Sequence, residues 1–156
     1  MKGVLHSDGG ARGNPGPAGI GVVLEIEGRR PALEVARSIG EATNNVAEYN
    51  ALITGLQLAL DNGVSQIAVY VDSELVASQV QGKWKIKNDR LRALASKAQS
   101  LMARFESASI TPVRRHLNAR ADELANRAMD AAGAGLDNDL SILTFDLDPA
   151  PAEDDM

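Results

Sequence analysis

The apolar residues of this chain change their period near residue 43, and that change limits the folds open to it. Before it, apolar positions alternate or run in short β-branched stretches; after it, they recur at helical spacing. Residues 2–8 read as a first strand entering a Gly-rich turn. Gly19 to Glu27 reads as a second strand, with Gly28-Arg29 as its hairpin turn. Leu33, Val35, Arg37 and Ile39 alternate with Glu34, Ala36 and Ser38, which predicts a third. Three successive strands with short connections make an antiparallel meander.

From Thr43 onward, Val46, Tyr49, Ile53, Leu56 and Leu60 form one helical stripe, widened by Ala47, Leu52 and Ala59. Thr43, Asn44 or Asn45 suits its cap and Asn62-Gly63 its stop. Ile67, Val69 and Val71 predict a fourth strand, and Ser73 to Val80 a short helix. Leu91, Leu94, Ala98, Leu101 and Phe105 line a longer helix opened by Asn88 or Asp89. Ser107 to Val113 predicts a fifth strand, which Pro112 assigns to a sheet edge because a central strand would lose a ladder donor there. Asn118 is expected to cap a last helix with Ala121, Leu124, Ala125 and Ala128 inward, ended by Gly133 and Gly135. The order βββ-α-β-α(α)-β-α is that of a mixed sheet with helices packed against it.

A chain of 156 residues suits one such domain. Aromatics make up only 3%, so the core must be built from Val, Leu, Ile and Ala. The absence of cysteine excludes disulfides, thiolate metal sites and cysteine nucleophiles, and fits a reducing cytoplasm. No apolar run is long enough to cross a bilayer. The expectation is a cytoplasmic monomer with no membrane partner. The net charge of −5 is unevenly spread. Residues 133–156 hold Asp137, Asp139, Asp146, Asp148, Glu153, Asp154 and Asp155, with no Lys or Arg. Taking these seven from the 21 acidic residues leaves 14 against 16 basic ones, so residues 1–132 are mildly basic. That balance is compatible with a polyanionic partner. Residues 1–132 are therefore expected to form the folded domain and 133–156 a flexible acidic tail, in which Leu140 to Phe145 is a short apolar patch.

Four acids stand out: Asp8 in HSDGGARGNPGPAG, Glu48 in ATNNVAEYNAL, Asp72 in VYVDSEL and Asp122 in NARADELAN. Each has an ordinary explanation. Asp8 suits a turn, Glu48 the first turn of a helix, Asp72 a helix cap, and Asp122 a helix dipole. Taken together they suggest more, because strand ends and helix N-termini converge on one rim of a sheet. Carboxylates gathered there repel one another and their pKa values rise unless cations neutralise them. Hard divalent ions resolve that conflict, and two of them about 4 Å apart can drive an in-line phosphodiester displacement.

The strings DGGARGNPGPAGIG, TNNVAEYNAL, VDSELVASQVQGKWKIKN and NARADELANRAMD, in this order and spacing, resemble type 1 ribonuclease H over Met1 to about Ala132. The resemblance is to the compact bacterial and archaeal form that lacks a long basic protrusion. It implies an α/β, ribonuclease H-like fold: a five-stranded mixed sheet, three antiparallel strands then two parallel additions, flanked by helices. It also implies a metal-dependent endonuclease that cuts the RNA strand of RNA–DNA hybrids and leaves 3′-hydroxyl and 5′-phosphate ends. Asp8, Glu48, Asp72 and Asp122 take the positions of the four acids that bind two Mg²⁺ ions, with Mn²⁺ as substitute.

The same resemblance assigns substrate contacts. Gly9, Gly10 and Ala11 correspond to backbone that approaches a ribose, and Glu48 to an acceptor for a 2′-hydroxyl, the group that tells RNA from DNA. Asn14, Asn44 and Asn45 offer amides to groove edges and sugars, and Thr43 resembles a contact to a DNA phosphate. Helix capping accounts for Thr43 to Asn45 equally well, and a turn for Asn14. Lys83, Trp84, Lys85 and Lys87 interleave charge with the single tryptophan, as a backbone-tracking groove would; the alternative is a solvated loop. His116 corresponds to a histidine that assists proton transfer or product release in some members, or else is a surface residue. Arg114 and Arg115 beside it could meet phosphate or solvate the edge strand. The competing functions are a related nuclease for double-stranded RNA or DNA junctions, and a non-catalytic hybrid-binding module.

Overall fold

The computed structural model describes residues 1–133. The expected tail, including the patch from Leu140 to Phe145 and the proposed stop at Gly135, lies outside the described residues. Strands β1 (Lys2–Ala11), β2 (Gly16–Ile26) and β3 (Leu33–Ala42) form the antiparallel meander. Helix α1 (Asn44–Asp61) leads to β4 (Gln66–Val71), then α2 (Glu74–Val80), α3 (Asp89–Met102) and β5 (Ser107–Pro112). A 3₁₀ turn (Arg115–Asn118) runs straight into α4 (Ala119–Gly133). The sheet order is β3-β2-β1-β4-β5, with β4 and β5 added in parallel. β1 is central and β5, with its proline, is an edge, as the sequence implies.

The sheet is longer than its apolar pattern suggests. β1 continues three residues beyond Asp8, through Gly9, Gly10 and Ala11, and pairs with β2 to the Ala11–Ala18 rung. Arg12 N donates to Pro17 O at 2.8 Å and closes the hairpin. The Gly-rich string is therefore mostly strand, and Gly9 and Gly21 answer to packing, while Gly13, with φ +94°, serves the turn. A Cβ on Gly9 would strike the backbone of Ala47 and Glu48 in α1. A Cβ on Gly21, the partner of Asp8 across the ladder, would strike Ala121 O and Ala125 N of α4. Two helices thus press on opposite faces of the β1–β2 pair at the level of Asp8.

The core lies mainly between the sheet and α1, where Leu5, Leu24, Leu52, Leu56 and Val69 are fully buried. Ala47, Tyr49, Leu52, Leu56 and Ala59 are fully buried on the α1 face, while Ile53 and Leu60 sit at its rim. Side-chain caps open three helices: Thr43 Oγ1 accepts from Val46 N, Ser73 Oγ from Val76 N, and Asn88 Oδ1 from Leu91 N. Each such cap contributes about 1 kcal/mol. Asn118 departs from the expectation. It does not cap α4; it ends the 3₁₀ turn, is 1% exposed, and its Nδ2 donates to Ser7 O of β1 at 2.9 Å. The 3₁₀ turn runs into α4 without a break, so Asn118 is not at a cap position; Nδ2 is used on β1, while Oδ1, the atom a cap would use, stays unpaired among the described residues.

Candidate active site

The parallel ladder between β1 and β4 ends at the Ser7–Val71 rung. Asp8 and Asp72 are the next residues on the two strands. Asp8 therefore keeps its ladder to β2, while its other flank opens where β4 stops. This differs from a strand end: β1 is intact around Asp8, and the side chain is 8% exposed. Glu48 reaches the same place from α1. It opens the second turn of that helix, not the first, so the attraction of the helix N-terminus for an acid is weak there.

Oxygen atoms of Asp8, Glu48 and Asp72 all lie within 4.8 Å of one another. Asp122, in the first turn of α4, comes to Asp8 from the opposite face, at hydrogen-bonding range. It is not one of the three mutually close acids. All four sequence-predicted carboxylates meet around Asp8, three tightly and one from the side.

The electrostatics follow from this crowding. Burial, then the charges of Asp72 and Asp122, push the Asp8 carboxyl up to about 9. Burial pushes Glu48 up to about 7, Asp72 adds to the rise, and the Ser73 hydroxyl and the Arg115 guanidinium oppose it. Asp72 Oδ2 is buried with no hydrogen-bond partner among the described residues. Its nearest cation is Arg115 Nε at 3.8 Å, on a side chain 80% exposed. A hard cation fits this arrangement, because it would satisfy the unpaired oxygen and relieve the two acids that are pushed toward protonation. The donors are all carboxylate oxygens, which suits Mg²⁺ or Mn²⁺ and not a soft metal.

The substrate-side residues separate into two groups. Asn14, Asn44 and Ala11 form a chain beside the acids: Asn14 Oδ1 accepts from Asn44 N at 2.9 Å, and Asn44 Oδ1 accepts from Ala11 N at 2.8 Å. Neither amide nitrogen has a protein partner among the described residues. Thr43 is the N-cap of α1, and Asn45 is half-buried in its first turn. Gly10 packs near Met129, where an added Cβ would come within 3.3 Å of its Cε. Gly9 is explained by α1 packing, as described above. The second group, Lys83, Trp84, Lys85 and Lys87, lies on the segment between α2 and α3. All four are exposed, Trp84 by 46%, and no described bond ties them to the carboxylates. Helix α2 separates them in the chain from Asp72.

His116 lies exposed on the 3₁₀ turn without a described contact to the acids, whereas its neighbour Arg115 reaches Asp72. Sequence reasoning left Arg115 between phosphate binding and solvation. It also missed the second task of Ser73, whose Oγ serves both Glu48 and the α2 cap. Its position directly after Asp72 was the available signal.

A family model described as reverse transcriptase-like matches residues 6–128. A bifunctional protein of Mycobacterium tuberculosis is 48% identical over 133 residues, 85% of this chain but only 36% of its own length. The chain thus spans about a third of the mycobacterial relatives it matches. The solved N-terminal RNase H domain of the M. tuberculosis protein Rv2228c has a TM-score of 0.83 at 46% identity, covering 86% of this chain and 98% of that one. Ribonuclease HI of Halobacterium salinarum is 46% identical over 127 residues, 81% of this chain and 64% of its length. The crystal structure of RNase H1 from that archaeon gives a TM-score of 0.79 at 44% identity, with 85% of this chain and all of that one covered. LC11-RNase H1, solved in complex with an RNA/DNA hybrid, gives 0.76 at 43% identity, with 83% and 98% covered.

Proposed function

The chain belongs to the ribonuclease H family, in its compact type 1 form, and from that premise we propose that it is an endoribonuclease hydrolysing the RNA strand of RNA–DNA hybrids. The observation that carries the reading is the meeting of Asp8, Glu48 and Asp72 within 4.8 Å, with Asp122 against Asp8. A module that only bound nucleic acid would gain nothing from burying mutually repelling acids at its binding face. The likeness to an RNase H1 solved with an RNA/DNA hybrid supports the choice of substrate.

Asp8, Glu48 and Asp72 would hold two Mg²⁺ ions, or Mn²⁺ in their place, with Asp122 joining from the side of Asp8. Bound there, the ions supply the charge that activates a water and stabilises the leaving 3′ oxygen, giving 5′-phosphate and 3′-hydroxyl ends. The remaining work falls to the protein's own groups. Glu48 accepts from a 2′-hydroxyl, which DNA lacks. The Gly9–Ala11 backbone admits a ribose against β1, and the amide nitrogens of Asn14, Asn44 and Asn45 donate to sugar and base edges. The Thr43 hydroxyl, whose oxygen caps α1, keeps its proton for a DNA phosphate. Lys83, Trp84, Lys85 and Lys87 track the backbone farther along the duplex.

The test is cleavage of labelled RNA–DNA hybrid, RNA duplex and DNA duplex, each with Mg²⁺ and with chelator. Cleavage of the hybrid alone, and only with Mg²⁺, is expected. Cleavage that survives chelation sinks the metal site, and equal cleavage of the RNA duplex sinks hybrid specificity.

A further inference from the structure

We propose that Asn118 is a positioning residue for the Asp8–Asp122 pair, an inference that rests on the nuclease reading above. Asn118 is the most deeply buried polar residue of the described fold, 1% exposed, yet its side chain makes only one described hydrogen bond. Nδ2 donates to Ser7 O at 2.9 Å, while Oδ1 has no partner among the described residues. As a stability device this is poor. An unpaired buried amide oxygen costs about 1–3 kcal/mol.

What the bond secures is position. Ser7 O belongs to the peptide that carries Asp8. Asn118 lies four residues before Asp122, about one helical turn. One hydrogen bond therefore joins the backbone of the most perturbed acid to the segment that delivers the fourth. The neighbours make the tie necessary. β4 has ended at Val71, so past the Ser7 rung β1 has no ladder partner on that side. On the α4 side the glycines of β2 offer close packing, and the other side-chain ties of α4 to the sheet, Arg120 to Glu34 and Ser38 to Ala128 O, reach β3 and not β1. The 3₁₀ turn also carries Arg115, whose Nε lies 3.8 Å from Asp72 Oδ2.

The experiment compares Asn118→Ala with Ser38→Ala. Ser38 Oγ is also buried and also ties α4 to the sheet, through Ala128 O at 2.8 Å, but from β3, on the Gly19 rung two residues along from the rung that Asp8 shares with Gly21. Both variants are expected to lower the melting temperature. Only Asn118→Ala is expected to weaken Mg²⁺ binding measured by calorimetry on the protein alone, and to reduce kcat, each by about 10–100-fold, with KM for hybrid within about threefold of wild type. If Asn118→Ala does not fold, Asn118→Ser, which keeps a donor too short to reach Ser7 O, is expected to give the same pattern. Magnesium affinity and kcat within twofold of wild type in the folded variant, or equal losses in Ser38→Ala, would overturn the proposal. Wild-type protein that binds Mg²⁺ but leaves hybrid intact would instead overturn the substrate reading, and the calorimetric comparison would still decide the role of Asn118.

Discussion

Glu48→Gln should stabilise the metal-free protein, and should do so more as pH rises from about 4 to 8. Burial, aided by Asp72, raises the Glu48 carboxyl from 4.5 to about 7 in the folded chain. A carboxyl raised by folding binds its proton more tightly in the native state, so stability is lost as pH climbs from the unfolded value through the folded one. Below about 4 both states hold the proton and there is no penalty. At pH 5 the penalty is about 1 kcal/mol, and by pH 8, with both states ionised, it reaches about 3 kcal/mol. Glutamine keeps the shape and an acceptor for the Ser73 hydroxyl but carries no charge. At about 3 °C per kcal/mol for a domain of this size, the variant should melt about 10 °C higher at pH 8 in chelator, and only a few degrees higher at pH 5. Saturating Mg²⁺ should reverse the order, because the ion stabilises the chain whose site holds it better. Melting curves at both pH values, with chelator and with Mg²⁺, make the check. A variant no more stable than wild type at pH 8 in chelator, or a gain of equal size at pH 5, refutes the claim that these acids are strained without a cation.

Three further outcomes follow from the geometry. Asp8→Asn should abolish cleavage while leaving hybrid binding in chelator at least as strong as wild type, read by gel shift alongside the cleavage assay. Gly21→Ala should lower stability by about 1–3 kcal/mol or more in denaturant titration, because its Cβ would meet the α4 backbone, which cannot rotate away. Replacing Lys83, Lys85 and Lys87 together with alanine should weaken hybrid binding and flatten its dependence on salt, by about 0.9 in the log–log slope for each phosphate that the variant no longer neutralises. An unchanged slope would mean that the segment lies off the substrate's path.

The sheet and helices were legible because binary pattern and caps agree along nearly the whole chain. Thr43 and Asn88 sit where capping chemistry predicts, the α2 cap falls to Ser73 and not to Asp72, and Pro112 marks the edge strand it occupies. The convergence of the four acids was legible in outline because strand ends and helix N-termini share one rim of a sheet, and in detail because four strings in fixed order resemble a known family. Local reasoning gave each acid a sufficient ordinary role. What stayed hidden depended on the third dimension. The glycines after Asp8 read as a turn, whereas Gly9 and Gly21 are small because helices cross there. Asn118 reads as a cap, and nothing local says that Ser7 O, 111 residues earlier, will claim its amide.

The placing of His116 and Arg115 makes the same point for the chemistry. A histidine near the fourth acid invites a proton-transfer role, since its charge changes near neutral pH. On this turn it faces solvent, while the adjacent arginine faces a buried oxygen of Asp72 that nothing else satisfies among the described residues. Arginine stays charged at every working pH and donates from a rigid fork, so it can hold an anion but not shuttle a proton. At 3.8 Å and largely exposed, the contact is loose enough to break when a cation arrives. A guanidinium released there would stand at the rim of the acid cluster, where a phosphate must enter. Arg115→Ala should therefore cost activity that His116→Ala does not, and the loss should appear across the whole pH range instead of as a shifted limb of the pH–rate profile.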